Sequence, residues 1–414
     1  MKRLFALLLF ALLLPPTFPA ASAAGEAPAL ALSCASAILM EKETGAILYE
    51  QNSHEKLEPA SVTKVMTLLL VMEAVDAGRL SMEDVVTVSA HAAGMGGSQV
   101  YLKEGEQMSV SEMVKCVTVV SGNDCAVALA EHLAGSETAF VDRMNQRARE
   151  LGMGDTTFLN CTGLPAPGHV TSAHDIALMS RELMKNHPAI RDYTTIWMDS
   201  IRGGEFGLTN TNRLIRFYPG ATGLKTGYTD SAHYCMSATA ERDGMELIAV
   251  VMKAPTTAQR FEDAKTLLDH GFANYALTTV YPDAPLAPVD VLLGDVDQIQ
   301  PRLQRDCRLL IAKGEESLIT TRLTTAEDVE APVELGQTLG QLEVYVGDEL
   351  RDTIPIVSAQ QANRLTIPGI FAKMARQLLM ADCSSRRFSG GYIKFSKNSP
   401  PNSQMFHSIS SNLT

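Results

Sequence analysis

Pro59-Ala60-Ser61-Val62-Thr63-Lys64 is the stretch from which the rest of the chain is read. A proline followed by a mostly apolar run that stops at Gly78 predicts a helix over about residues 61–77, because proline lacks the N–H that a first turn leaves unpaired anyway. Ser61 then faces the free N–H groups and the positive end of the helix dipole. Such a setting stabilises an oxyanion forming at an attacked carbonyl. Lys64 lies three residues on, on the same helix face. A serine hydroxyl is a poor nucleophile until a base takes its proton. Lysine serves as that base only if its pKa falls from ~10.4 toward neutrality, through burial or a second nearby cation. Taken alone, the pair is better described as a helix-terminal serine and a solvated lysine.

Two further strings change that balance. Ser121-Gly122-Asn123 falls in the break between two helical stretches. Gly122 permits a tight turn that points both side chains one way. The Ser121 hydroxyl can pass a proton to a leaving amine, and the Asn123 amide can hold Lys64 or a substrate carbonyl. The competing reading is a helix cap, for which serine and asparagine are good residues. Lys225-Thr226-Gly227 precedes a strand at Tyr234 and is expected on a sheet edge. There Gly227 lets a peptide-like ligand approach the backbone and add as a short strand, with Lys225 and Thr226 meeting its terminal carboxylate. Lys225 is also the expected second cation; its competing reading is an ordinary loop lysine. In this order and in these contexts the three strings describe serine acyl transfer with lysine in place of histidine. His91, His169, His174 and His233 show no metal-ligand spacing, and no G-x-S-x-G elbow occurs. No metal or other cofactor is expected.

The surrounding pattern gives the fold class. Residues 36–50 read as a hairpin. Ser109-Val110-Ser111-Glu112 is a capping box for a helix to about Val119. Helices are predicted over 124–134, 137–151, 173–185 and 257–275, and strands over 234–240 and 245–252 joined through Asp243-Gly244. Strands at both ends with helices between predict an α/β (α+β) domain, one antiparallel sheet covered by helices. After Tyr275 a proline-rich linker leads into short apolar runs without helical period, a small all-β domain. Residues 367–380 form a short amphipathic helix with Ile370, Phe371, Met374, Leu378 and Leu379 on one side and Lys373, Arg376 and Gln377 opposite. A membrane interface is its preferred place, and packing on the protein is the alternative.

Met1-Lys2-Arg3, an apolar run of 11 residues to Leu14, two prolines and Ala21-Ser22-Ala23 make a secretory signal peptide cleaved after Ala23. The run is well short of the roughly 20 residues that span a bilayer. The expected division is therefore signal peptide 1–23, catalytic domain 24–277, small β-rich domain 278–358, amphipathic helix 359–381 and a disordered tail 382–414 rich in Ser, Asn, Pro and Gly. A net charge of −12 without a basic stripe argues against a nucleic-acid partner. Seven cysteines without a C-x-x-C indicate neither a zinc site nor a dense disulfide framework; most are expected as small buried hydrophobes.

At residues 59–64, Ser121-Gly122-Asn123-Asp124 and Gly223-Leu224-Lys225-Thr226-Gly227-Tyr228-Thr229 the chain resembles the low-molecular-mass penicillin-binding proteins, specifically the serine-type D-alanyl-D-alanine carboxypeptidases. The resemblance runs over about residues 36–275. It implies a β-lactamase/transpeptidase-like sheet and helices, and an extracytoplasmic enzyme that removes the last D-alanine from peptidoglycan stem pentapeptides and is inhibited by β-lactams. It implies Ser61 as the acylated nucleophile, Lys64 as its base, Ser121 and Asn123 in proton transfer, and Lys225, Thr226, Gly227 and Tyr228 in substrate binding. The Ser61 and Tyr228 N–H groups would form the oxyanion hole, and Arg213 or Arg216 could grip the substrate carboxylate. Two rivals share the motifs: a serine β-lactamase, and a non-catalytic cell-wall-binding protein of the same fold. Between Phe140 and His174 only Glu150 offers a glutamate, without an E-x-x-x-N around it, and residues 158–164 carry no acid, which favours slow deacylation and hence the peptidase.

Overall fold

The computed structural model describes residues 30–384, with side chains of its last helix described to residue 375. The signal-peptide segment 1–23 and the tail beyond 384 lie outside the described residues. Two compact units divide the chain. One takes it to Tyr281 together with Asp306–Thr320 and Tyr345–Arg351; the other takes Pro282–Arg305, Thr321–Val344 and the chain from Asp352 on.

In the first unit β1 (Ser36–Glu41), β2 (Ile47–Gln51), β3 (Ala221–Thr229), β4 (His233–Arg242) and β5 (Met245–Ala254) form one antiparallel sheet of order β2-β1-β5-β4-β3. Asp243 (φ 51°) and Gly244 (φ 77°) make the two-residue turn between β4 and β5, which requires positive φ at both positions. Side chains alternate along each strand, so the central strands feed two cores. Ile248, Val250 and Met252 of β5 face one core, and Leu247, Ala249 and Val251 face the other. Every residue from Met245 to Met252 is therefore buried. Burying each large aliphatic side chain contributes about 1.5–3 kcal/mol.

The first core is built with α1 (Lys64–Asp76), α2 (Val110–Val119), α3 (Asn123–Ala134), α4 (Glu137–Glu150) and α5 (Ala173–Asn186). α1 is buried on nearly all sides, which is why apolar residues run through it without forming a stripe. The second core lies under α6 (Thr257–Asn274), with Phe261, Leu267, Leu268 and Phe272 against the sheet. The Ser109 cap forms as read, its hydroxyl accepting from the Glu112 N–H at 3.2 Å, while the Glu112 carboxylate accepts from that hydroxyl at 3.3 Å. The helix expected from Ser61 is different. Ala60–Thr63 is a 3-10 turn, and α-helix begins only at Lys64. Ala60 sits at φ 48°, and the turn is pressed against β3, so the chain takes the narrower winding there.

The second unit is β-rich. Val289–Leu292 pairs with Gln298–Ile299 and with Asp328–Glu330, over a small core of Val289, Val291, Ile299, Ala331, Val333 and Leu339. α7 (Ile367–Ser384) extends four residues past its expected end. Ile367, Phe371 and Met374 on it are exposed, and Lys373 pairs with Asp297. The six described cysteines are buried, and Cys34, Cys116, Cys125, Cys161 and Cys235 are free thiols.

Candidate active site

Ser61 and Lys64 meet. The 3-10 turn leads straight into α1, so Lys64 points back along the turn, and its Nζ lies 2.9 Å from Ser61 Oγ and 2.7 Å from the Thr162 carbonyl. Lys64 is fully buried, and burial pulls its pKa down to about 7. Cys161 and Asp124 act the other way, favouring the charged form. Burial is the largest influence lowering Lys64, as expected, and the second expected influence, Lys225, is buried in the same region. The Lys225 pKa is held well below its ordinary value by burial first, then by repulsion from Lys64 and from Arg260, and the repulsion between the two lysines is mutual. The two lysines do share one region, and Lys225 Nζ donates to the Thr226 carbonyl at 3.0 Å.

The Lys225-Thr226-Gly227 string lies inside β3, the edge strand of the sheet, where Lys225 pairs with Ser237 and Gly227 with Cys235. A side chain at Gly227 would place its Cβ 2.9 Å from both the Pro59 carbonyl and the Ser61 nitrogen. Only glycine lets the edge strand approach the serine this closely. Thr226 Oγ1 donates to Thr211 Oγ1 at 2.8 Å. Thr211 N–H in turn donates to the Val119 carbonyl at 3.0 Å, tying β3 to the end of α2 just before Ser121. Tyr228 is half exposed and lies against Tyr234 with ring centroids 4.5 Å apart.

Ser121 and Asn123 are buried and do not cap a helix. The N-cap of α3 is Gly122, with no side-chain cap. Ser121 is held at φ 65°, in the left-handed region that costs an L-residue about 1–2 kcal/mol. Asn123 Nδ2 donates to the Gly96 carbonyl at 2.6 Å. Among the described residues Ser121 Oγ and Asn123 Oδ1 are buried without a hydrogen-bond partner. Left-handed backbone and orphaned polar atoms in one turn are costs that a purely structural turn would shed. Next to them Asp124 accepts from the Val100 and Leu102 N–H groups at 2.9 and 3.2 Å, fastening that segment to the turn.

The sequence singled out Arg213 and Arg216 but not Arg260, on whose pKa Arg213 acts. Arg216 stacks over Trp197 and Phe217, and Arg213 is exposed. Arg260 of α6 is buried and donates to the Gly227 carbonyl at 3.2 Å; burial lowers its pKa to about 10. Nothing in its local sequence marks it, because the packing of α6 on the sheet places it there. His169 is a satisfied core residue. The Leu159 N–H donates to its Nδ1 at 3.1 Å, so Nε2 carries the proton and donates to Thr63 Oγ1 at 2.9 Å; burial lowers its pKa to about 4. Among the described residues Glu73, Glu182 and His187 are spaced for a metal ion, but Arg147 already bridges the two carboxylates at 2.7 Å each.

Comparison with known proteins gives a consistent result. The sequence profile of the family described as D-alanyl-D-alanine carboxypeptidase, peptidase S11, matches residues 21–256, and that of the penicillin-binding protein 5 C-terminal domain matches 275–364. The D-alanyl-D-alanine carboxypeptidase DacF of Bacillus subtilis is 41% identical over 372 residues, covering 88% of this chain and 95% of that protein. DacC of Escherichia coli is 34% identical over 84% of this chain and 88% of its own length. Among solved structures, penicillin-binding protein 5 of Haemophilus influenzae superposes with a TM-score of 0.70 at 28% identity, over 82% of this chain and all of that one. Penicillin-binding protein D2 of Listeria monocytogenes in its ampicillin-bound form gives a TM-score of 0.55 at 35% identity, over 59% of this chain and all of that one.

Proposed function

The chain belongs to the D-alanyl-D-alanine carboxypeptidase family, and from that premise we propose that it hydrolyses the terminal D-alanine from peptidoglycan stem pentapeptides through an acyl-enzyme on Ser61. The observation that carries the reading is the fully buried Lys64 amine 2.9 Å from the Ser61 hydroxyl, with a pKa near 7. Near neutrality a substantial fraction of the amine is uncharged and can accept a proton. As Ser61 Oγ attacks the carbonyl of the penultimate D-alanine, its proton passes to Lys64 Nζ. The N–H groups of Ser61 and Tyr228 receive the oxyanion. Collapse breaks the peptide C–N bond, and the departing amine takes a proton by way of Ser121, whose Oγ has no partner of its own among the described residues. Water then attacks the ester, with Lys64 again accepting a proton, and Ser61 is restored. The substrate lies along the open edge of β3, its carboxylate toward Thr226, Lys225 and Arg260. Asn123 holds its backbone.

β-Lactams enter the same path and stop at the ester. Glu150, the glutamate weighed for water activation, pairs instead with Arg147 at 3.4 Å, which supports slow deacylation over the β-lactamase alternative. The N-terminal segment supports export across the cytoplasmic membrane. No helix among the described residues is long and apolar enough to cross a membrane; the exposed Ile367, Phe371 and Met374 support surface contact through α7 instead. Intact-mass measurement after penicillin exposure, with the modified peptide identified, tests the reading. A stable adduct on Ser61, together with D-alanine release from a peptide ending in D-Ala-D-Ala, is expected. An adduct that turns over within seconds makes it a β-lactamase. Neither adduct nor release leaves the wall-binding alternative.

A further inference from the structure

The carbonyl that meets Lys64 belongs to a turn held in shape by one side chain. Asn160 Oδ1 accepts three hydrogen bonds, from Thr162 N–H at 3.2 Å, Thr162 Oγ1 at 3.1 Å and Gly163 N–H at 2.7 Å. Its Nδ2 donates to the Leu164 carbonyl at 2.9 Å. We propose that Asn160 is a positioning residue for the acyl transfer: by clamping residues 160–164 it fixes the Thr162 carbonyl on Lys64 Nζ and so directs the amine toward Ser61.

The geometry requires such a device. A lysine amine on four rotatable bonds has no fixed direction of its own. Ser61 Oγ and the Thr162 carbonyl are the two groups that hold Lys64 Nζ. With one N–H committed to a fixed carbonyl, rotation about the Cε–Nζ bond is restricted and the lone pair can be presented to the hydroxyl. That carbonyl is itself a poor free agent, because the Thr162–Gly163 peptide is turned by Gly163 at φ 82°, where a Cβ would come 1.8 Å from the Ala60 carbonyl. Gly163 thus gives the turn its shape, and Asn160 locks the peptide that carries the carbonyl.

The flanking backbone has its own anchors. Asn145 binds Phe158 through both N–H and C=O, His169 takes the Leu159 N–H, and Glu137 takes the Cys161 N–H, while Thr67 Oγ1 donates to the Cys161 carbonyl. Loss of the Asn160 side chain therefore frees the Thr162–Gly163 peptide without releasing the segment. The charged or titratable groups felt by Lys64 or feeling it are Cys161, Asp124 and Lys225; Glu137 faces Cys161, and His169 faces Thr63. None of them is altered by a change at Asn160.

The inference rests on Ser61 and Lys64 acting as nucleophile and base. Its test is the pH dependence of the second-order acylation rate with fluorescent penicillin for the full chain, Asn160→Ala and Asn160→Ser. Asn160→Ala is expected to acylate about 10- to 100-fold more slowly. The acidic limb of its profile moves down by roughly one pH unit, because the ammonium form loses a fixed acceptor. Asn160→Ser keeps one oxygen and falls between. A slower Asn160→Ala whose acidic limb coincides with wild type, or moves upward as it would if a loosened fold admitted water to the buried amine, overturns the proposal. If Asn160→Ala does not fold, the Asn160→Ser limb decides in the same way. A wild type that forms no adduct refutes the Ser61 reading instead, and is seen before any variant is made.

Discussion

In the first unit Lys64, Lys225, Asp124 and Arg260 are all 6% exposed or less, whereas each described ion pair of the second unit keeps at least one partner about half exposed or more, and Arg364–Glu330 has both side chains about 60% exposed. Arg305–Asp352, the best-shaped of these pairs at 2.6 Å, is half exposed on the arginine. The contrast separates charge that is tolerated from charge that is maintained at a cost. A surface pair contributes ~0–1 kcal/mol and can be lost cheaply. A buried cation without a carboxylate bonded to it opposes folding, and Lys64 has only a hydroxyl and a carbonyl as partners. Such groups persist where their altered proton affinity is used.

Substitutions can break this comparison. The largest effect is expected at Lys64. Lys64→Met should lower the acylation rate by at least ~10³-fold, read by labelled penicillin. It should also melt at a higher temperature than wild type. The sign follows from the depressed pKa: between about 7 and ~10.4 the unfolded lysine holds a proton that the native one lacks, so wild-type stability rises with pH across that window. The gap in melting temperature should be full below pH 7 and close as pH approaches 10. A variant less stable than wild type at pH 6 would show that Lys64 is structural.

Lys225→Ala comes next, with acylation about 10²-fold slower and weaker capture at subsaturating penicillin, a donor loss of the size seen at oxyanion sites. Its acidic limb should move upward as the repulsion between the two amines is lost; a limb that stays where it is in wild type would leave burial as the sole cause of the lowered Lys64. Gly227→Ala forces a Cβ to 2.9 Å from the Ser61 nitrogen and should destabilise by about 1–3 kcal/mol in urea unfolding, with acylation reduced alongside. At the small end, Asp352→Ala should cost less than ~1 kcal/mol and leave acylation unchanged.

The elements were legible to different degrees. The Ser109 cap, the Asp243-Gly244 turn and the helices after Ser121 and Thr256 depend on neighbours within four residues, and all form close to where they were read. Local rules failed at Ala60–Thr63, where contact with β3 wound the chain into a 3-10 turn, and at Ser121 and Asn123, whose capping chemistry is set aside for a strained turn. Arg260, Thr211 and Thr162 gave no local signal, since each reaches the site from a distant segment.

The sequence by itself determined the family, the order of strands and helices, and the three strings that carry the chemistry, because period, caps, turns and motif spacing are properties of short stretches of chain. Only the tertiary structure decided that Lys64 is buried with Lys225 in the same region, which arginine reaches β3, and that Asn160 aims a carbonyl at the amine. Burial and long-range hydrogen bonds come from elements a hundred residues apart, and no local pattern encodes the solvent that packing removes.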